Sequence, residues 1–145
     1  MRYCHMVLYA SDIMRKYDKI MPGDTSAYEA AKIMAQDHVG FAIIAENGEI
    51  KGMVTEWDYI NKIIAQDRDP KKVRIDEIMN SPIISIDPDT PTFKVTEIMA
   101  KNGIRRLPVM KNGKLLGVIT SRDILRIFKD YMDSISDIIS RFGNL

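Results

Sequence analysis

Gly52-Met53-Val54-Thr55-Glu56-Trp57-Asp58 and Gly117-Val118-Ile119-Thr120-Ser121-Arg122-Asp123 are two versions of one phrase, and their spacing decides how the chain is read. Sliding the sequence on itself by 65 residues superposes them and aligns residues 12 to 64 with 77 to 129 without a gap. Twelve of the 53 aligned positions are identical, among them Ile13/Ile78, Met14/Met79, Asn47/Asn112 and Gly48/Gly113. Chance at ~6% per position for ordinary composition would give about three. Duplication explains the match, and the repeat is the unit of architecture.

Working outward from the phrase, each copy predicts the order β-α-β-β-α. Short apolar stretches, Lys19 to Met21 and Ile83 to Ile86, lead into turns at Pro22-Gly23-Asp24 and Asp87-Pro88-Asp89. A helix follows, with Ala27, Ala30, Ala31 and Met34 in one copy and Phe93, Val95, Ile98 and Met99 in the other at helical spacing. Thr25 and Thr90 are the expected caps. Asn47-Gly48 and Asn112-Gly113 are two-residue turns that need positive φ, so they join hairpin strands. The second hairpin strands, Glu49 to Val54 and Lys114 to Ile119, run into helices at Thr55 and Thr120. A unit of about 55 residues buries its sheet poorly alone, so the two are expected to pack on each other. The charged stretch Gln66 to Lys72, with Pro70 to stop a helix, is the natural linker. The expected division is 1–66, linker 67–74, 75–131 and a C-terminal helical extension 132–145.

Composition excludes several classes. The 145 residues suffice for one core, and 46% hydrophobic with 28% charged residues is ordinary for a soluble globular protein. No apolar run approaches the ~18 residues of a bilayer helix, and Met1-Arg2-Tyr3-Cys4-His5 leads into no signal-peptide core, so a cytoplasmic location is expected. With 21 basic and 20 acidic residues there is no global field to hold a nucleic-acid backbone. One cysteine and two histidines lack the spacing of a metal site, and Cys4-His5 reads as an N-terminal strand or arm. No Ser/His/Asp or Cys/His set suggests catalysis, and none is expected.

Thr-x-x-Asp at a helix start has a structural meaning first: the threonine accepts from the third N–H, and the acid reaches back toward the cap. The preceding strand glycines, Gly52 and Gly117, add a second meaning, since glycine weakens a strand unless backbone or ligand must come close. Free N–H groups at the helix start suit a phosphate, and an aspartate one turn on can take both hydroxyls of a ribose.

The duplicated β-α-β-β-α unit, the phrase Gly-hydrophobic-x-Thr-x-x-Asp in each copy, and Arg105-Arg106-Leu107-Pro108 before the second hairpin resemble a tandem pair of CBS domains over about residues 10 to 130. The resemblance implies an α/β (α+β) fold of two repeats packed face to face with pseudo-two-fold symmetry. It implies a non-enzymatic regulatory sensor, with AMP, ADP, ATP or S-adenosylmethionine bound in clefts between the repeats. No cofactor is obligatory. Energy sensing, a homodimer and an unknown protein target are further implications. Carried over, the second site comprises Arg105, Thr120, Arg122 and Asp123 for ribose and phosphate, and Ile20, Val39, Gly40 and Val118 for adenine. A weaker first site comprises Thr55, Asp58, Ile83, Ile84 and Ile104.

The first copy departs from the family pattern, with Gly40 where the second has Arg105, Ile43 for Pro108, and acidic Glu56 at the helix start. By charge it should hold an anionic tail less well. Other readings stand beside these. Arg105 and Arg106 also read as a solvated strand-end charge and a surface salt bridge. A structural or dimerisation module with vestigial sites is the alternative function. Nucleic-acid binding through Lys101, Arg105, Arg106, Arg122 and Arg126 is a third. Met14, Met34, Met79 and Met99 hold equivalent repeat positions and read as core filler. Ile124, Phe128, Tyr131, Ile135, Ile138 and Phe142 follow 4-3-4-3-4 spacing with no Gly or Pro from Ser121 through Phe142. This stripe predicts one long helix, or two broken near Asp133-Ser134, packed back on its domain or forming a dimer contact.

Overall fold

The computed structural model describes residues 8–143, so the Cys4-His5 reading lies outside the described residues. The chain forms two compact units, one of residues 17–84 with 112–114, the other of the N-terminal segment through Lys16 with 85–111 and 115–145. This division differs from the repeat boundary. Residues 8–16 pack with the second copy, and the segment after the linker, through Ile84, packs with the first.

In the unit of residues 17–84, β1 (Ile20–Met21) lies parallel to β2 (Phe41–Glu46), which pairs antiparallel with β3 (Glu49–Thr55). Asn47 and Gly48 turn the hairpin at φ 53° and 76°, as their residue types require. Helix α2 (Ala27–Gln36) buries Ala27, Ala30 and Met34 on a core with Ala42, Ile44, Val54, Ile75 and Ile78. Each large aliphatic side chain so buried contributes roughly 1.5–3 kcal/mol. The cap of α2 is Ser26, whose hydroxyl accepts from Glu29 N at 3.1 Å, one residue beyond the expected Thr25. Tyr17 stacks on Phe41 with ring centroids 4.8 Å apart, and Tyr59 donates to the Ala27 carbonyl at 2.7 Å. Burial pushes both phenols up to about 12.

The other unit begins with the short helix α1 (Ala10–Ile13). Helix α4 (Thr92–Asn102) follows Pro91, which takes the cap position expected for Thr90. Its buried residues are Val95 and Met99, whereas Phe93, expected on the core face, is 71% exposed. Strands β4 (Arg106–Lys111) and β5 (Lys114–Thr120) pair through the Asn112-Gly113 turn. The strand expected at Ile83 to Ile86 shrinks to one parallel bridge between Ile86 and Val109. Asp87-Pro88 follows at once, and proline has no N–H to extend a ladder. Met34 and Met99 are buried, and Met14 and Met79 pack against the two cores, so these four methionines are core filler.

After β3, helix α3 (Glu56–Tyr59) passes into a single π turn at Ile60–Ile64. After β5, helix α5 (Ser121–Phe142) runs unbroken for 22 residues, which decides for one helix over two. Its apolar stripe packs back on its own unit at its start, where Ile124 lies against the core, whereas Phe128, Tyr131, Ile138 and Phe142 are exposed. No helix among the described residues is long and apolar enough to cross a membrane.

Candidate functional site

Both phrases place a strand end, a helix start and a buried carboxylate within a few residues. Thr55 and Thr120 have extended backbone and cap α3 and α5. Thr55 N donates to Asp58 Oδ2 at 2.8 Å, and Thr120 N to Asp123 Oδ2 at 2.9 Å. The threonine hydroxyls donate to the same oxygens at 3.2 and 3.0 Å. The capping-box reading is therefore realised in both copies. Asp58 and Asp123 are each 3% exposed and are the buried charged side chains among the described residues. A carboxylate so desolvated needs charge and hydrogen bonds around it.

Those partners come from residues that the sequence did not single out for the site. Arg15 Nε lies 2.9 Å from Asp123 Oδ1, with Arg126 Nη2 at 3.4 Å from the same oxygen. In the first copy Lys62 Nζ lies 3.0 Å from Asp58 Oδ1, while Asn80 Nδ2 donates to Asp58 Oδ2 at 2.9 Å. The division of labour is the same in both. Oδ2 holds the helix cap, and Oδ1 faces a cation.

Arg15 and Asn80 are equivalent positions of the repeat, each following an identical Ile-Met pair. Each lies along the edge of the hairpin strand bearing the other copy's phrase. Arg15 and Val118 exchange backbone hydrogen bonds of 3.0 and 2.9 Å, and Met53 and Asn80 exchange bonds of 3.2 and 2.8 Å. This explains the strand glycines. A Cβ on Gly117 would sit 2.7 Å from the Arg15 carbonyl oxygen, and one on Gly52 the same distance from that of Asn80. The close neighbour that requires glycine is the chain's own backbone. Lys62 and Arg126 were readable, lying four and three residues past their aspartates on a helix. Arg15 and Asn80 were not, because their approach depends on tertiary pairing.

The expected site residues are grouped as follows. Arg105 stands at the start of α5: its carbonyl accepts from Ser121 N at 2.8 Å, which brings it beside Thr120, Arg122 and Asp123 in one unit. Gly40 makes the equivalent bond to Glu56 N at 3.0 Å beside Thr55 and Asp58. Val118 is buried at its bridge with Arg15. Ile83 and Ile84 belong to the unit of Thr55 and Asp58, whereas Ile104 packs against the core of the other. Ile20 is exposed on β1, and Val39 and Gly40 are half-buried, all three in the unit of residues 17–84. Among the described residues no group of three or more His, Cys, Asp or Glu could hold a metal ion.

Comparison with known proteins bears on what such an arrangement does. The family model described as CBS domain matches residues 10–65 and again 75–130. The chain is 32% identical over 128 residues to the mitochondrial CBS domain-containing protein CBSX3 of Arabidopsis thaliana, covering 80% of this chain and 62% of that one. It thus spans about three fifths of that relative's length. Among solved structures it resembles the CBS domain pair of protein MJ0100 in complex with 5-methylthioadenosine and S-adenosyl-L-methionine, at TM-score 0.78 and 31% identity over 86% of this chain and 98% of that one. It also resembles a hexameric CBS-CP12 protein from bloom-forming cyanobacteria, at TM-score 0.77 and 34% identity over 83% and 72% of the two chains.

Proposed function

From its membership of the CBS domain family, to which this chain belongs as a tandem pair of domains, we propose that it is a non-enzymatic regulatory module. It binds an adenosine-containing ligand at its Thr-x-x-Asp phrases and passes the resulting change to a partner protein. The observation that carries this reading is the repeated buried carboxylate behind a helix N-terminus, Asp123 and Asp58, each with Oδ1 turned toward a cation. A ribose hydroxyl is a donor suited to that oxygen. The similar MJ0100 pair is bound to two ligands that both carry adenosine, which supports the same ligand class here.

The site at Asp123 is the stronger of the two for a phosphorylated ligand. Arg105 and Arg122 are cations beside the start of α5, whose N–H groups favour an anion, while the first copy has Gly40 and Trp57 at those positions and acidic Glu56 at its helix start. AMP, ADP or ATP should therefore prefer the second site, and an uncharged adenosine tail is better tolerated at the first. Thermal melts with AMP, ATP and S-adenosylmethionine test the proposal by ligand linkage: a bound ligand raises the melting temperature in proportion to ln(1 + [L]/Kd). The Asp123→Ala chain should lose the AMP shift. A full shift in that variant overturns the site.

A second reading is favoured by one observation: both Thr-x-x-Asp phrases form capping boxes, with each threonine N and hydroxyl bonded to Oδ2 of its aspartate. On that reading the phrases are structural and the module acts through protein interaction alone. It predicts no ligand shift in any of the three melts.

A further inference from the structure

We propose that Lys62 is a lock on the first phrase: it holds Asp58 in a closed network, so that an adenosine-containing ligand fills the site at Asp123 well before the one at Asp58. The proposal rests on the adenosine-binding reading and adds the residue that sets the two sites apart.

The two carboxylates are equally buried and equally capped, and they differ in how Oδ1 is held. An ammonium has three N–H donors and no acceptor. Those of Lys62 are spent on the Ile78 carbonyl at 2.8 Å, Asp58 Oδ1 at 3.0 Å and Asn80 Oδ1 at 3.3 Å. Asn80 closes the ring, because its Nδ2 donates to Asp58 Oδ2 at 2.9 Å while its backbone exchanges two bonds with Met53. Both oxygens of Asp58 are thereby tied to the segment 78–80. A ribose hydroxyl that takes Oδ1 must undo the whole attachment of a partly desolvated ammonium, not a single contact.

The second phrase is held more loosely. Its cation, Arg15, has a side chain 61% exposed against 31% for Lys62, and Arg126 at 3.4 Å is 48% exposed. An exposed guanidinium turns into water and is solvated there, so Asp123 Oδ1 is released at lower cost. The difference is written in the sequence: the repeat partner of Lys62 is Ile127, which has no donor to offer, and Arg15 stands where the first copy has Asn80. Lys62 also lies in the π turn Ile60–Ile64, the place where the first copy's helix departs from the regular α5. Such turns are frequent at functional positions.

The test is calorimetric titration of the full chain with adenosine, which carries no phosphate and so reads ribose and base alone. The natural chain should bind one equivalent at concentrations that saturate the Asp123 site, with the other site at least tenfold weaker. Lys62→Met keeps the stem and removes the donors, and it should bind two equivalents. In an Asp123→Ala background the remaining event should tighten at least tenfold on Lys62→Met. Asp58 retains Asn80 and the Thr55 N–H and hydroxyl, so the variant should still melt cooperatively, at a lower temperature. Lys62→Gln, which keeps a donor for the Ile78 carbonyl, gives the same readout if the methionine variant does not fold. Two equal events in the natural chain, or a first site unchanged by loss of the ammonium, overturns the lock and leaves adenosine binding standing. Absence of binding in every chain overturns the adenosine reading and the lock with it.

Discussion

The Nε of Arg15 lies 2.9 Å from Oδ1 of Asp123, so a residue five positions ahead of β1 neutralises the carboxylate at the end of the second repeat's phrase. The guanidinium is largely exposed while the carboxylate is buried. Arg15 can therefore leave more easily than Asp123 can stand unpaired, and Arg126 remains 3.4 Å from the same oxygen.

If ribose takes that oxygen, Arg15 competes with it. Arg15→Ala should tighten binding of uncharged adenosine several-fold in isothermal titration calorimetry, at a loss of melting temperature limited by Arg126, which still faces the buried carboxylate at 3.4 Å. Adenosine is the probe because it has no phosphate for the arginine to attract. Unchanged or weaker binding would refute the competition.

Gly52→Ala and Gly117→Ala should each cost about 1–3 kcal/mol in urea unfolding. The added Cβ meets a backbone oxygen at 2.7 Å that is already fixed in a strand bridge. Equal stability in both variants would mean that the edge segments give way freely.

Ser26→Ala should lower stability by roughly 1 kcal/mol, the ordinary cost of losing an N-cap. Thr25→Ala should cost distinctly less, since Ser26, not Thr25, holds Glu29 N. The reverse order in paired denaturation curves would contradict the cap assignment.

Tyr17 and Tyr59 should titrate late. Burial raises both to about 12 from an ordinary value of 10.0. The unfolded chain therefore releases these protons first, and stability from this source is complete below pH ~10 and lost progressively from ~10 to ~12. Phenolate absorbance should show Tyr17 and Tyr59 rising near pH 12 in the folded protein and at lower pH after unfolding. In the Tyr59→Phe variant one late step should vanish.

The elements most legible in the sequence are those whose signal is local. Asn47-Gly48 and Asn112-Gly113 specify their hairpins because few other pairs accept positive φ twice, and the aspartates of both phrases are recognisable as cap partners from their spacing. Ser26 was missed because it and Thr25 are chemically equivalent candidates one residue apart. Phe93 misled because an apolar residue at helical spacing need not face the core when it lies in the first turn. The partners of the two carboxylates divide the same way. Lys62 and Arg126 follow from helix spacing, but Arg15 and Asn80 reach their places through bridges that no local pattern encodes.

The bridge between Arg15 and Val118 also sets an order of events. During synthesis the unit of residues 17–84 can gather almost all its chain as one continuous stretch, whereas residues 8–16 must wait for β5 before they have an edge to bind. Residues 8–16 thus precede that unit in the chain and are placed after it. A chain cut at the linker would strand Arg15 with one fragment and Asp123 with the other, so the halves should recover the Arg15–Asp123 contact only when mixed.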